Sequence, residues 1–194
     1  MKLLTKPSII LFCSILLLSA CREKGRPATD KGQENTETTE ERKSQFTEQN
    51  SKEVSYQNVS LRIPKRWTYE VEDLDEGIFQ LTCEEPDDDE MLILVYVNYE
   101  IMDAEEYLNM YRGILEEEPG FKRAKYSPLK HGELLGYPTY EYDYTNNVLG
   151  FKISGRMLSF NADGAMVYIQ YYSSLDKVKR RSNELILNSL EIIR

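Results

Sequence analysis

Residues 160–174 read Phe-Asn-Ala-Asp-Gly-Ala-Met-Val-Tyr-Ile-Gln-Tyr-Tyr-Ser-Ser, FNADGAMVYIQYYSS. The Asn161–Gly164 piece is a hairpin turn, with Gly164 where the backbone needs a positive φ. Val167–Tyr172 alternates, as a strand with one buried face does, and places Tyr168 and Tyr172 together on one face. A turn this short joins antiparallel neighbours. The stretch therefore predicts strands over 149–161 and 165–173 in an antiparallel sheet.

Working outward, residues 121–130 and 137–145 also read as strands. Tyr140, Tyr142 and Tyr144 share one face of the second. On the N-terminal side, "VSLRIP" (59–64) alternates Val59, Leu61 and Ile63 and stops at Pro64. "RWTYEV" (66–71) and "GIFQLTC" (77–83) continue the pattern, and the acidic turn "EEPDDDE" (84–90) follows. "MLILVYVNYE" (91–100) is almost continuously apolar, which predicts a central strand covered on both faces.

Two stretches have helical period. In 103–118, Tyr107, Met110, Tyr111, Ile114 and Leu115 recur on one face, Asp103 and Glu106 suit an N-terminal cap, and Pro119-Gly120 ends the run. Residues 174–190 form the second helix, with Ser174 as its expected cap. "EIIR" is a short last strand or a docked tail. The expected order is ββββ-α-ββββ-α with an optional terminal strand. That is an α+β fold: a largely antiparallel central sheet with helices packed on it.

Several pieces together resemble the PsbP-like/Mog fold family. They are a first strand ending in "IPKRW" (63–67), a hairpin before a mid-chain helix, "GYPTYEYDYT" (136–145), "FNADGAMVYIQYYSS" (160–174), and a last helix closing in "LILNSLEI" (185–192). Where that family commonly has Gly before the Trp, this chain has Arg66. The resemblance covers nearly all of 54–194 and implies an α/β/α sandwich. It implies no reaction, because the family holds photosystem extrinsic subunits, Ran-binding proteins and bacterial lipoproteins.

The N-terminus addresses location. Lys2 and Lys6 precede an apolar run from Ile9 to Leu18, shorter than the roughly 20 residues a spanning helix needs. The run ends in Leu18-Ser19-Ala20-Cys21, which resembles the lipobox of bacterial lipoproteins. That resemblance implies removal of residues 1–20 and diacylglycerol on the Cys21 sulfur, often with acylation of the new amino group. Lipid on Cys21 would hold the protein to a membrane of the cell envelope, facing outside the cytoplasm. On that resemblance, of the three cysteines Cys13 would be removed with the signal and Cys21 would carry lipid, which would leave Cys83 without a partner for a disulfide within the mature chain.

Residues 22–53 hold only Ala28 and Phe46 as apolar residues, with 7 Lys+Arg against 8 Asp+Glu. Such a segment cannot bury enough surface to offset its chain entropy, and 21–53 is expected to be a disordered tether. Its mean reach is about 30 Å. Residues 54–194 carry 15 Lys+Arg and 25 Asp+Glu, a net charge of −10, which argues against nucleic acid as a partner.

Within the domain the reactive residues are sparse. His131 is the only histidine, in a turn-like segment, and no metal or cofactor site is expected around it. Cys83 ends an apolar strand next to Glu84 and Glu85, where a thiol stays protonated. "EEPDDDE" reads as a solvated loop, with a weak calcium site or acidic docking loop as the alternative. Lys177, Arg180 and Arg181 share a helix face, either solvated or a docking patch. Glu141 and Asp143 alternate onto one strand face at roughly 7 Å spacing, the version an enzyme acting on envelope material would use. Tyr140, Tyr142, Tyr144, Tyr168 and Tyr172 form either a ligand face or aromatic packing under a helix. The function these features predict is a noncatalytic domain, anchored through lipid on Cys21, that binds a protein or small-ligand partner. The alternatives are an accessory subunit of an envelope complex or, less favoured, the carboxylate enzyme.

Overall fold

A computed structural model describes residues 47, 49–86, 90–99, 103–148, 151–174 and 180–193. Cys21, the signal segment and nearly all of the tether lie outside these residues. The described chain runs β1 (Ser51–Tyr56), β2 (Val59–Pro64), β3 (Thr68–Asp75), β4 (Ile78–Glu84), β5 (Met91–Val97), α1 (Ala104–Glu117), β6 (Lys125–Tyr126), β7 (Lys130–Leu134), β8 (Tyr137–Val148), β9 (Phe151–Ala162), β10 (Ala165–Ser174), α2 (Arg180–Asn188) and β11 (Glu191–Ile192).

The large sheet has the order β3-β4-β5-β10-β9-β8-β6, with β7 also on β8, and every pairing in it is antiparallel. The apolar run expected to be the central strand over 91–100 forms β5 only as far as Val97; it is an interior strand between β4 and β10, and β10 holds the middle of the sheet. The β9–β10 turn is as predicted: Asp163 and Gly164 have φ of 51° and 85°, and Ala162 faces Ala165 across it. Asn161 does more than shape the turn. Its Oδ1 accepts from the Ala104 N–H at 3.0 Å, while Ser159 Oγ donates to the Ala104 carbonyl at 2.6 Å. These bonds tie the start of α1 to β9. Asp103 caps the same end by accepting from the Glu105 N–H at 2.8 Å.

Each face of the sheet has its own cover. On one face lies α1, burying Ala104, Leu108, Tyr111 and Leu115. Leu108 rather than Met110 completes its apolar stripe, and Met110 is 39% exposed. Burying Leu108 and Leu115 contributes about 1.5–3 kcal/mol each. The other face is covered by a second sheet, β1-β2-β11, together with α2. Val59, Leu61, Ile63 and Trp67 there meet Phe79, Leu81, Leu92, Leu94, Phe160, Val167 and Ile169 of the large sheet, and Ile186, Leu187 and Leu190 join them. The second cover is therefore mixed, a small sheet plus a helix, where the sequence led us to expect a helix alone.

Several boundaries differ from expectation for local reasons. β1 is not expected from the sequence, which puts Ser51–Glu53 in the tether and the first strand at 59–64, giving four strands before the helix instead of five; Ser51–Tyr56 forms a strand because it pairs with all of β2. Residues 121–130 are not one strand. The chain leaves α1 through turns, with the Phe121 and Lys122 N–H groups donating to the Glu118 carbonyl, and only Lys125–Tyr126 pairs with β8. His131 lies in β7 rather than in a turn. Ser174 does not cap the last helix; it pairs with Ile153 as the end of β10. Leu135 occupies the left-handed region, with φ of 57°, in the β7–β8 turn. For a residue with a Cβ this costs roughly 1–2 kcal/mol.

One core position is out of keeping with its surroundings. Asn183 of α2 is fully buried, and neither Oδ1 nor Nδ2 has a hydrogen-bond partner among the described residues. An unsatisfied buried amide costs about 1–3 kcal/mol. Asn183→Leu is therefore expected to raise stability by about 1–2 kcal/mol in urea unfolding, with an unchanged slope. A loss of stability would mean that the amide has a partner.

Candidate functional site

The tyrosine face is built by register. Across β8, β9 and β10, Tyr140, Ser159 and Tyr168 form one row, Tyr142, Met157 and Gln170 the next, and Tyr144, Gly155 and Tyr172 the third. The eight of these that carry a side chain therefore point to the α1 side of the sheet, and Gly155 leaves a gap there. Tyr142, Tyr144 and Tyr168 are buried. The Tyr168 ring lies 4.5 Å from Tyr111 and 5.9 Å from Tyr107 of α1, centroid to centroid. Tyr144 packs on Phe121 and Tyr126. Tyr142 donates its hydroxyl to Asn109 Oδ1 at 2.6 Å and carries the Arg112 guanidinium 4.7 Å above its ring.

This is packing beneath a helix, not an open groove. Its polar atoms are joined internally. Tyr168 Oη donates to Gln170 Oε1 at 2.9 Å, and Gln170 Nε2 donates to Tyr144 Oη at 3.0 Å. Gln170 was legible only as the polar residue between Tyr168 and Tyr172 on the same strand face. Tyr140 sits toward the margin, half-buried, with its ring 5.4 Å from that of His131. Tyr172 is half-buried at the other end.

Glu141 and Asp143 point to the opposite side. Arg156 joins them, with Nη1 3.2 Å from Glu141 Oε2 and Nε 2.7 Å from Asp143 Oδ1. Lys130 also pairs with Asp143, and Thr139 Oγ1 donates to Glu141 Oε1 at 2.8 Å. Partial burial pushes the Asp143 carboxyl up, but hydrogen bonds and charge from Lys130 and Arg156 outweigh it and hold the carboxyl below its usual value. A general acid needs the reverse displacement. The expected acid–base pair is thus an ion-paired cluster around Arg156, a residue the sequence did not single out.

The other candidates are equally engaged. Cys83 is fully buried, and burial pushes its thiol up to about 12, with the Lys52 charge pulling weakly the other way. Glu85 and Glu90, expected in a solvated loop, are buried, and the Glu85 N–H donates to the Glu90 carbonyl at 3.1 Å. Arg66 forms an ion pair with Glu85 and so holds the base of this hairpin. Asp87–Asp89 lie outside the described residues, as do Lys177 and the side chains of Arg180 and Arg181. Among the described residues, no group of three or more His, Cys, Asp or Glu could hold a metal ion.

Among the described residues, sequence reasoning missed a concave surface. A shallow groove of about 410 Å³ is lined by Leu135, Tyr137, Leu190, Glu191, Ile192 and Ile193. It brings the β7–β8 turn beside β11, elements more than fifty residues apart. Neither periodicity nor composition signals such a meeting.

No protein-family model matches the sequence, and no curated protein is similar to it by sequence. Solved structures do resemble the fold. The cyanobacterial PsbP (CyanoP) of Synechocystis is 11% identical, aligns over 74% of this chain and 92% of its own, and superposes with a TM-score of 0.51. A mutant of the protein Mog1 is 11% identical over 74% of this chain and 96% of its own, with a TM-score of 0.50. LpqN, involved in cell envelope biogenesis of Mycobacterium tuberculosis, is 16% identical over 70% of this chain and 83% of its own, at a TM-score of 0.47. The first two carry the comparison, and at such identities they speak to fold alone.

Proposed function

For a chain with the PsbP/Mog1-like α+β fold and this N-terminus, we propose a membrane-anchored envelope lipoprotein whose domain binds a partner without catalysing a reaction. The observation that carries the reading is Cys21, placed directly after Leu18-Ser19-Ala20 at the end of a short apolar run with basic residues before it. A thioether-linked diacylglycerol gives two acyl chains, and each buried CH₂ contributes about 0.8 kcal/mol to membrane binding. The tether then lets the domain stand about 30 Å off the lipid surface. The state of the domain's reactive groups supports a binding role. Its thiol is buried, and its paired carboxylates are neutralised by Arg156 and Lys130.

Cys21→Ala should abolish incorporation of labelled fatty acid in a bacterial host and move the protein from the membrane to the soluble fraction. The domain should still melt at the wild-type temperature, since Cys21 precedes the first strand, which opens at Ser51, by 30 residues of sequence. Continued lipid labelling of the variant would overturn the anchor. Turnover of an envelope-derived substrate, abolished by a single substitution in the domain, would overturn the noncatalytic reading.

A further inference from the structure

We propose that the groove beside β11 is a docking site for an extended partner segment that alternates basic and aliphatic residues and adds to the free edge of β11. Among the described strands, β11 pairs only with β2 and so lies at the margin of the small sheet. Its neighbour Ile193 is held out rigidly: the Ile193 N–H donates to the Asn58 carbonyl at 2.7 Å, and its own carbonyl accepts from Asn58 Nδ2 at 2.9 Å. Yet the Ile193 side chain is 49% exposed. A fixed, exposed aliphatic residue next to a sheet edge is what strand addition uses: main-chain hydrogen bonds give affinity, and alternate side chains enter the groove.

The opposite wall repeats the feature at a higher conformational cost. Leu135 is 41% exposed and has a φ of 57°. The matching position of the β9–β10 turn, with φ of 51°, holds Asp163, a residue type such turns favour. At the β7–β8 turn the chain therefore places a strained, exposed aliphatic residue where a polar one would be more stable. Strain held at a surface groove points to use of the side chain there.

Charge selects the occupant. Glu191 lines the groove and is exposed, and Asp163 lies within hydrogen-bond reach, accepting from Tyr137 Oη at 2.5 Å. The domain as a whole carries 25 acidic against 15 basic residues over 54–194. A segment with Lys or Arg on one face and Val, Ile or Leu on the other meets both the acidic groups and the exposed Leu135 and Ile193 side chains.

This inference rests on reading the domain as a binding module, and its test reads the groove rather than the anchor. The full chain in detergent is titrated with fluorescein-labelled peptides that alternate Lys with Val, Glu with Val, or Lys with Ser, and anisotropy is recorded. Only the Lys/Val peptide should bind well. Glu191→Lys and Ile193→Asp should each weaken it about tenfold. Glu70→Lys on the edge strand β3, at the far side of the large sheet, should leave it within about twofold. Leu135→Asn should raise the melting temperature and weaken the peptide together, a combination that a purely structural role does not produce. Equal binding of the Lys/Val and Glu/Val peptides, or unchanged binding in both groove variants, would overturn the proposal. So would a dimer in sedimentation that Ile193→Asp dissociates. A chain that is lipidated yet binds no Lys/Val peptide sinks the groove and leaves the anchor standing.

Discussion

Raising the pH from about 9 to about 12 is expected to unfold the domain in one steep step, because several phenols and a thiol buried in it must ionise there. Burial pushes Cys83 up to about 12, and Tyr171 up to about 12 against the lowering effect of Arg156. Burial displaces Tyr144 and Tyr168 upward as well; the Gln170 hydrogen bond opposes the shift at Tyr144, and neighbouring phenols add to it at both. In the unfolded chain the thiol ionises near about 8.5 and the phenols near about 10. The direction follows: the folded state keeps protons that the unfolded state has released. Stability is complete below the unfolded values and falls as pH rises through the window up to the folded ones. Each such group removes about 1.4 kcal/mol per pH unit, so four together remove about 5–6 kcal/mol for each pH unit above 10. For a total of about 5–10 kcal/mol, in the lower part of the usual range, the midpoint should fall about one to two units above pH 10. Circular dichroism and tyrosinate absorbance should change together. Full tyrosinate absorbance near pH 10 with unaltered dichroism would mean that these rings are open to water.

The second large effect is Gly155→Val. Gly155 lies in the row between Tyr144 and Tyr172. A Cβ at this position would stand 2.3 Å from the Tyr171 carbonyl oxygen and 2.6 Å from both Cζ and Oη of Tyr144. A tyrosine ring lies across the strand because the position has no side chain. The carbonyl belongs to a sheet backbone and cannot yield as a flexible side chain would. Overpacking of this kind costs about 3 kcal/mol, and the melting temperature should fall by about 6–12 °C. Gly113→Ala on α1, where an added Cβ meets nothing within 4 Å, should do the reverse and raise stability by about 0.5–1 kcal/mol. A Gly155→Val protein that melts with the wild type would show that Tyr144 does not lie where the packing places it.

Local chemistry made much of the fold legible. The Asn161–Gly164 turn, the apolar strand 91–97 and the Asp103-capped helix each follow from a few adjacent residues, and each formed as expected. Where the reading missed, the deciding partner was distant. Ser51–Glu53 looked too polar for a strand, but β2 supplies its hydrogen bonds. Ser174 looked like a helix cap until the long hairpin claimed it through Ile153. Met110 and Leu108 are two positions apart on α1, and only the sheet beneath decides which of them is buried.

The candidate site divides in the same way. The sequence alone determined the antiparallel α+β class, the acidic balance of the domain, and the alternation that puts Tyr140, Tyr142 and Tyr144 on one face and Glu141 and Asp143 on the other. Those properties depend on the chain's composition or on the two-residue period of a strand. Only the tertiary structure decided that α1 closes over the tyrosines, that Arg156 and Lys130 neutralise the carboxylates, and that Leu135 meets Ile193 across a groove. Alternation tells which side chains share a face, but what covers that face depends on elements many residues away, whose packing no local pattern encodes.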